Sequence, residues 1–177
     1  MNRRNRPVLY RRAIYLILLL VLHLLQSTAG LFPSPFGAHA LLLIPAVVCI
    51  GMCEREYSGL FFGLFAGLLW DSTLLADHYH AMFLCVLGLV CGALAQHLMR
   101  NNIMTAALLS GFSLLLYALI RWASLLITAG FGFAARKLLT FYLPCVIYTL
   151  FLSPILYLFI RFLSHQFQSA QSELELE

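Results

Sequence analysis

Long apolar runs separated by short polar breaks constrain the fold of this chain more than any other feature. At about 20 residues each, the runs are long enough to cross the hydrocarbon core of a membrane as helices. They cover residues 13–32, 36–54, 57–76, 80–99, 104–130 and 138–160. Because the connections are short, neighbouring runs must be antiparallel. The sequence therefore predicts an all-α integral membrane protein, a compact bundle of about six transmembrane helices.

The composition supports a lipid environment. The chain has 177 residues, of which 62% are hydrophobic and 10% are charged, whereas soluble domains are about 45–50% apolar and about 25% charged. So little polar surface cannot cover a soluble globule. We expect a single polytopic membrane domain over residues 1–165, followed by a loose, polar, cytoplasmic tail over residues 166–177.

Clustered arginines predict the orientation of the bundle. Five of the eleven basic residues lie at the N-terminus, at Arg3, Arg4, Arg6, Arg11 and Arg12. Positive charge stays on the cytoplasmic side of a membrane, so the N-terminus is expected in the cytoplasm. An even number of spans returns the C-terminus there too. The same basic start, followed by Ser27-Thr28-Ala29, is also typical of a signal peptide, but we favour a retained first helix. The basic residues do not indicate a nucleic-acid partner, and we expect none.

The fifth run has 27 residues, or about 40 Å as a helix against a hydrocarbon core of about 30 Å. Two interpretations fit this excess length. Either the helix is continuous and strongly tilted, or it breaks near Arg121-Trp122 and leaves residues 123–135 as a re-entrant piece. We favour the continuous helix.

Glycines at four-residue spacing mark the third run. Gly59, Gly63 and Gly67 share one helical face, and Gly88 and Gly92 form a shorter face in the fourth run. Small residues let helix backbones approach closely in lipid, where such packing drives association. The glycines therefore predict either packing within the bundle, which we favour, or a stripe that docks a partner's helix.

Asp71 continues the glycine spacing by one step, and a carboxylate within a membrane usually finds a partner. Arg121 in the fifth run lies at a similar depth when the antiparallel runs are counted out. We expect either an Asp71–Arg121 ion pair, or an Asp71 that caps the following turn through Ser72 and Thr73 or lies among lipid headgroups. In the last run, Pro144 and Pro154 each remove a backbone donor and are expected to kink the helix.

Catalytic and cofactor-binding patterns are missing from the sequence. There is no nucleophile elbow, no H-E-x-x-H motif and no Walker loop. His78 and His80 could supply two metal ligands, but an H-x-H pair is weak evidence for a metal site, and we favour a solvated loop here. We therefore expect no catalytic residues, no cofactor and no bound metal.

Several of these features together resemble the rod shape-determining protein MreD family. The segment Gly59…Gly63-Leu-Phe-Ala-Gly67-Leu-Leu-Trp-Asp71 is similar to the family signature G-F-x-x-G-L-x-x-D. Pro45 in the second run, the small-residue fourth run ending at Arg100, and Pro154 followed by Arg161 also fit. The similarity covers nearly the whole chain, and the sequence departs from the family pattern at residues 76–80.

This resemblance implies a non-catalytic scaffold of the bacterial cell-elongation machinery in the cytoplasmic membrane. The implied partner is MreC, with MreB, RodA and its transpeptidase partner as indirect partners and membrane lipid as the surroundings. It also implies a fold similar to the substrate-binding subunits of vitamin transporters. The alternative function is accordingly a small-solute-binding subunit of a transporter, with Asp71, Arg121 and His39 lining an apolar cavity.

Overall fold

A computed structural model describes residues 6–28, 41–54, 56–73, 79–97, 102–129 and 131–174. Nearly all of these residues are helical, with no strand among them, so the predicted all-α class is confirmed. The helices are α1 (Arg6–Ser27), α2 (Leu43–Cys53), α3 (Glu56–Thr73), α4 (His80–His97), α5 (Ile103–Ala129), α6 (Phe131–Lys137) and α7 (Leu143–Leu174). A π-helical turn, Leu138–Tyr142, joins α6 to α7.

Helix α2 forms the centre of the fold. Every residue from Leu43 to Met52 is buried, and α2 contacts α1, α3, α4, α5 and α7. A helix that is apolar on all sides is stable only when it is surrounded. The helix has 11 residues, about 16 Å, and begins later than the predicted run 36–54; residues 36–40 lie outside the described residues.

Helix α5 is continuous over 27 residues, about 40 Å. This confirms the continuous helix, whereas its tilt stays a prediction. The alternative, a break near Arg121-Trp122, is wrong, since residues 123–129 belong to α5; the next described residues form α6. By length and hydropathy, two stretches of the described chain could each cross a membrane, Ile103–Thr128 and Phe131–Ser164.

The two prolines of the last run are accommodated differently. Pro144 is the second residue of α7 and follows the π-helical turn, in which the Leu143 N–H bonds to the Leu138 carbonyl. Pro154 lies inside α7 and cannot donate to the Leu150 carbonyl; the Ser153 hydroxyl donates to that carbonyl instead, at 2.9 Å. The bend angle at either proline stays a prediction.

The C-terminal segment differs from its prediction. Helix α7 continues to Leu174, whereas a loose tail was expected from residue 166. The polar residues of this segment include good helix formers such as Gln and Glu, so the helix propagates beyond the apolar run without a break.

Two ends of the bundle can be distinguished by their polar contacts. At one end, Arg11 near the start of α1 forms a bidentate ion pair with Glu54, which follows α2. The Nε–Oε1 and Nη2–Oε2 distances are 2.7 Å and 3.0 Å. We call the opposite end, where α1 and α3 finish and α4 begins, the His80 end.

Candidate functional site

The glycine stripe packs α3 against α4. A Cβ atom added at Gly59 would lie 2.5 Å from the Gly88 carbonyl oxygen. Added Cβ atoms at Gly63 and Gly67 would overlap the α4 backbone at Leu84 and Ala81. The favoured prediction of packing within the bundle is therefore confirmed. The alternative, a stripe that docks a partner's helix, is wrong, because α4 already covers this face.

Helix α2 joins the same contact through Gly51, which the sequence reading missed. An added Cβ at Gly51 would lie 3.1 Å from the Gly88 oxygen and 3.5 Å from the Gly92 nitrogen, and one at Gly59 would lie 3.2 Å from the Gly51 Cα. Three backbones thus meet at Gly51, Gly59 and Gly88. Gly51 has no other glycine four residues away in its run, so only the assembled fold reveals its role.

Asp71 caps the start of α4. Its Oδ2 accepts a hydrogen bond from the Ala81 N–H at 2.9 Å, and its Oδ1 accepts one from the His80 N–H at 3.2 Å. Its Oδ1 also lies 2.9 Å from the His80 Nδ1. The first N–H groups of a helix lack partners within the helix, and the close α3–α4 packing brings them to Asp71.

The ion pair and the local cap expected for Asp71 are therefore corrected, whereas its position among lipid headgroups stays a prediction. The direct ion pair with Arg121 is wrong, because the Asp71 carboxylate contacts α4. The cap is not through Ser72 and Thr73 either, since their hydroxyls donate to the carbonyls of Leu69 and Trp70 within α3.

His80 is the centre of a polar and aromatic cluster. Its side chain is 1% exposed. Because a carboxylate only accepts hydrogen bonds, the Nδ1 carries the proton shared with Asp71. The Nε2 lies 3.2 Å from the Tyr117 hydroxyl, so the chain Asp71–His80–Tyr117 joins α3, α4 and α5. The rings of Trp70 and Tyr79 each lie 4.6 Å from the His80 ring, measured between centroids.

Arg121 belongs to the same end of the molecule, as the depth comparison suggested, but it has other partners. Its Nη1 donates to the Tyr79 hydroxyl at 2.9 Å, and its Nε donates to the Tyr142 hydroxyl at 3.4 Å. Arg121 thereby links α5 to the start of α4 and to the π-helical turn.

A cavity of about 390 Å³ opens at the His80 end. Its lining includes Gln26, Trp70, His80, Tyr117, Arg121 and Tyr142. Arg121 is the only Lys, Arg, Asp or Glu among the described residues of the lining. The described part of the lining therefore combines aromatic side chains with one permanent positive charge. His39, which was expected to line such a cavity, and His78 lie outside the described residues.

Across the part of the chain that the structure describes, no three His, Cys, Asp or Glu side chains form a group that could hold a metal ion. The Asp71–His80–Tyr117 chain fixes the tautomer and orientation of His80, and its contacts are those of a structural tie between helices.

Comparisons with known proteins found no match for this chain among protein-family models, curated proteins or solved structures.

Proposed function

We propose that this chain is a non-catalytic membrane scaffold of the MreD type, which binds MreC and helps to couple cytoplasmic filaments to peptidoglycan synthesis. The observation that carries the proposal is the set of packing and capping contacts made by the Gly59–Asp71 segment, on which the resemblance depends. Its glycines and its aspartate act as one unit, because the glycines bring α4 against α3 and Asp71 caps α4 where it begins. Such a unit provides the rigidity that a scaffold requires.

The outer surface supports a membrane location for this scaffold. Large apolar side chains are exposed on the long helices, including Met82 at 75%, Ile127 at 86% and Phe151 at 79%. Exposed apolar surface on this scale indicates contact with lipid or with partner proteins. We propose a multi-pass protein of the bacterial cytoplasmic membrane with both termini in the cytoplasm, following the arginine-rich start of the chain.

The partner surface in this proposal lies on the exposed apolar faces. The glycine stripe is occupied by α4, so a transmembrane helix of MreC has to contact other residues. Phe61 on α3, Phe112 on α5 and Phe151 on α7 each place a large exposed aromatic ring on a different helix. Aromatic anchors of this kind often carry much of the binding energy of an interface.

Co-purification tests the proposal. The tagged chain and MreC from the same bacterium are co-expressed, extracted in mild detergent and purified through the tag. We expect MreC to be retained in a fixed ratio, and alanine variants at Phe61, Phe112 or Phe151 to reduce the ratio at one of the three faces. A folded chain that retains no MreC contradicts the proposed partner. A chain that fractionates with soluble proteins contradicts the membrane location.

A small-solute-binding subunit of a membrane transporter is the second candidate, and the cavity at the His80 end favours it. Its volume of about 390 Å³ falls within the usual range of ligand pockets, about 300–1,000 Å³. Thermal unfolding with riboflavin, thiamine or biotin separates the two candidates. A large rise in the midpoint with one vitamin, together with no retained MreC, favours the transporter subunit.

A further inference from the structure

An apolar groove runs along the outside of α4 and α5. Its volume is about 570 Å³, and its lining includes Tyr79, Val86, Leu94, Phe112, Leu116 and Ile120. From Tyr79 to Leu94 the groove follows α4 for about 22 Å, which exceeds the roughly 15 Å depth of half a bilayer core. A lipid acyl chain can therefore lie along it.

Arg121 lies at one end of this groove. Ile120 precedes it in α5 and lines the groove, and the Tyr79 hydroxyl, at the same end, accepts a hydrogen bond from the Arg121 Nη1 at 2.9 Å. The guanidinium carbon also lies 5.9 Å from the Tyr79 ring centroid. Arg121 also lines the cavity of the His80 end. Its guanidinium group therefore lies where the apolar groove and the polar cavity approach each other.

The charge on the described lining of these two spaces is positive and favours an anion. Arg121 is the only Lys, Arg, Asp or Glu lining either the groove or the cavity among the described residues. The carboxylate of Asp71 is turned toward the backbone N–H groups of α4. Guanidinium groups bind phosphates through paired, charge-assisted hydrogen bonds, and the phenol groups of Tyr79 and Tyr142 hold this one in place.

We infer that the chain binds an anionic lipid, with its phosphate against Arg121 at the His80 end and an acyl chain in the groove between α4 and α5. The inference rests on the proposed membrane location and not on MreC binding. Apolar contact alone cannot select one lipid over another, so the selectivity for negative charge comes from Arg121.

Tryptophan fluorescence reports on this site directly. The chain has two tryptophans; Trp70 lines the cavity, and Trp122 follows Arg121. The purified full chain, in a non-ionic detergent, is titrated with phosphatidylglycerol and, separately, with phosphatidylcholine of the same acyl chains. We expect a saturable change with phosphatidylglycerol at concentrations at least about tenfold lower than with phosphatidylcholine, since hydrogen bonds to charged groups are the stronger class.

Variants assign the effect to Arg121 and the groove. We expect R121Q to abolish the preference for phosphatidylglycerol and R121K to keep part of it, since lysine retains the charge but not the paired hydrogen bonds. R161Q is the matched control, because Arg161 also donates to a tyrosine hydroxyl, that of Tyr157, yet lines neither space. In the groove, V90F is expected to weaken lipid binding, whereas L68F, at an exposed position on α3, is expected to leave it unchanged.

Soluble phosphate esters provide the last comparison. Glycerol 3-phosphate that binds as tightly as phosphatidylglycerol, and independently of V90F, overturns the lipid assignment and makes the site one for soluble anions. If the folded wild-type chain responds to phosphatidylglycerol and to phosphatidylcholine at the same concentrations, the inference is overturned without any variant. Neither result depends on whether MreC is retained, so failure here is distinguishable from failure of the proposed function.

Discussion

The α2–α4 half and the α5–α7 half of this molecule achieve close packing by different means. Between α3 and α4, glycines bring backbone against backbone, and an added Cβ at Gly59, Gly63 or Gly67 meets main-chain atoms. Between α5 and α7, side chains fill the contact, and a Cβ at Gly111 meets only the Leu150 Cδ1, at 3.2 Å. A side chain can rotate away and a backbone cannot, so the first half should tolerate much less change than the second.

The largest effect is expected at the centre of the glycine stripe. Gly63→Leu places a side chain where the Leu84 backbone lies, so α3 and α4 must separate at a cost on the order of 3 kcal/mol. We expect low abundance in membranes and a strongly reduced unfolding midpoint. Gly132→Leu is the control, because nothing lies within 4 Å of its added Cβ. Equal stability of the two variants would remove the contrast between the halves.

Asp71→Ala is expected to have the next largest effect. It removes both the cap of α4 and the partner of His80, so we expect the free energy of unfolding to fall by about 2 kcal/mol. Arg121→Ala should cost less, since that arginine lies across the cluster and contacts tyrosine hydroxyls. Chemical denaturation in detergent measures the free energy of unfolding of both variants and shows which of them is the less stable. A greater loss for Arg121→Ala means that the α5 side, and not the α3–α4 unit, stabilises this end.

Tyr117→Phe tests the link between the two halves. The change removes the hydroxyl near the His80 Nε2 but keeps the ring that stacks on Trp70. We expect the free energy of unfolding to fall by about 1 kcal/mol, the usual net contribution of one hydrogen bond. Tyr79→Phe serves as a comparison at the Arg121 contact. An unchanged midpoint for Tyr117→Phe contradicts the proposed tie between α4 and α5.

The smallest effect is expected for Gly111→Ala. The added methyl requires only a small movement of the Leu150 side chain, and alanine favours a helix over glycine by about 1 kcal/mol. The two terms nearly cancel, so the free energy of unfolding should stay within about 0.5 kcal/mol of the wild type. Gly59→Ala, measured alongside, should be clearly destabilised. Similar losses at both positions would show that the halves pack alike.

The sequence predicted the helices well because apolar runs and polar breaks are local signals. It also identified the stripe formed by Gly59, Gly63 and Gly67, because four-residue spacing is a helical period. The role of Gly51 was not predictable from spacing, since its contacts with Gly59 and Gly88 depend on three helices meeting.

The partner of Asp71 shows the same limit more sharply. Counting along antiparallel runs gave the correct end of the bundle, but the pairing with Arg121, one of the expectations for Asp71, rested on depth and opposite charge. The actual partners are the N–H groups of His80 and Ala81 and the His80 ring. They compete successfully because α4 starts close to Asp71 and its first N–H groups lack helical partners. A comparison of charges and depths does not include unpaired backbone groups.

The central claim is that the glycine face is internal and that MreC binds an exposed apolar face. Site-specific photo-crosslinking in bacterial membranes tests this claim most directly. A photoreactive phenylalanine analogue is placed singly at Phe61, Phe112 and Phe151, all exposed, and at buried Phe62 as a control, in cells that produce MreC. We predict a crosslink to MreC from at least one exposed position and none from position 62. A crosslink from position 62 alone, or none from a chain that is folded in the membrane, would contradict the claim.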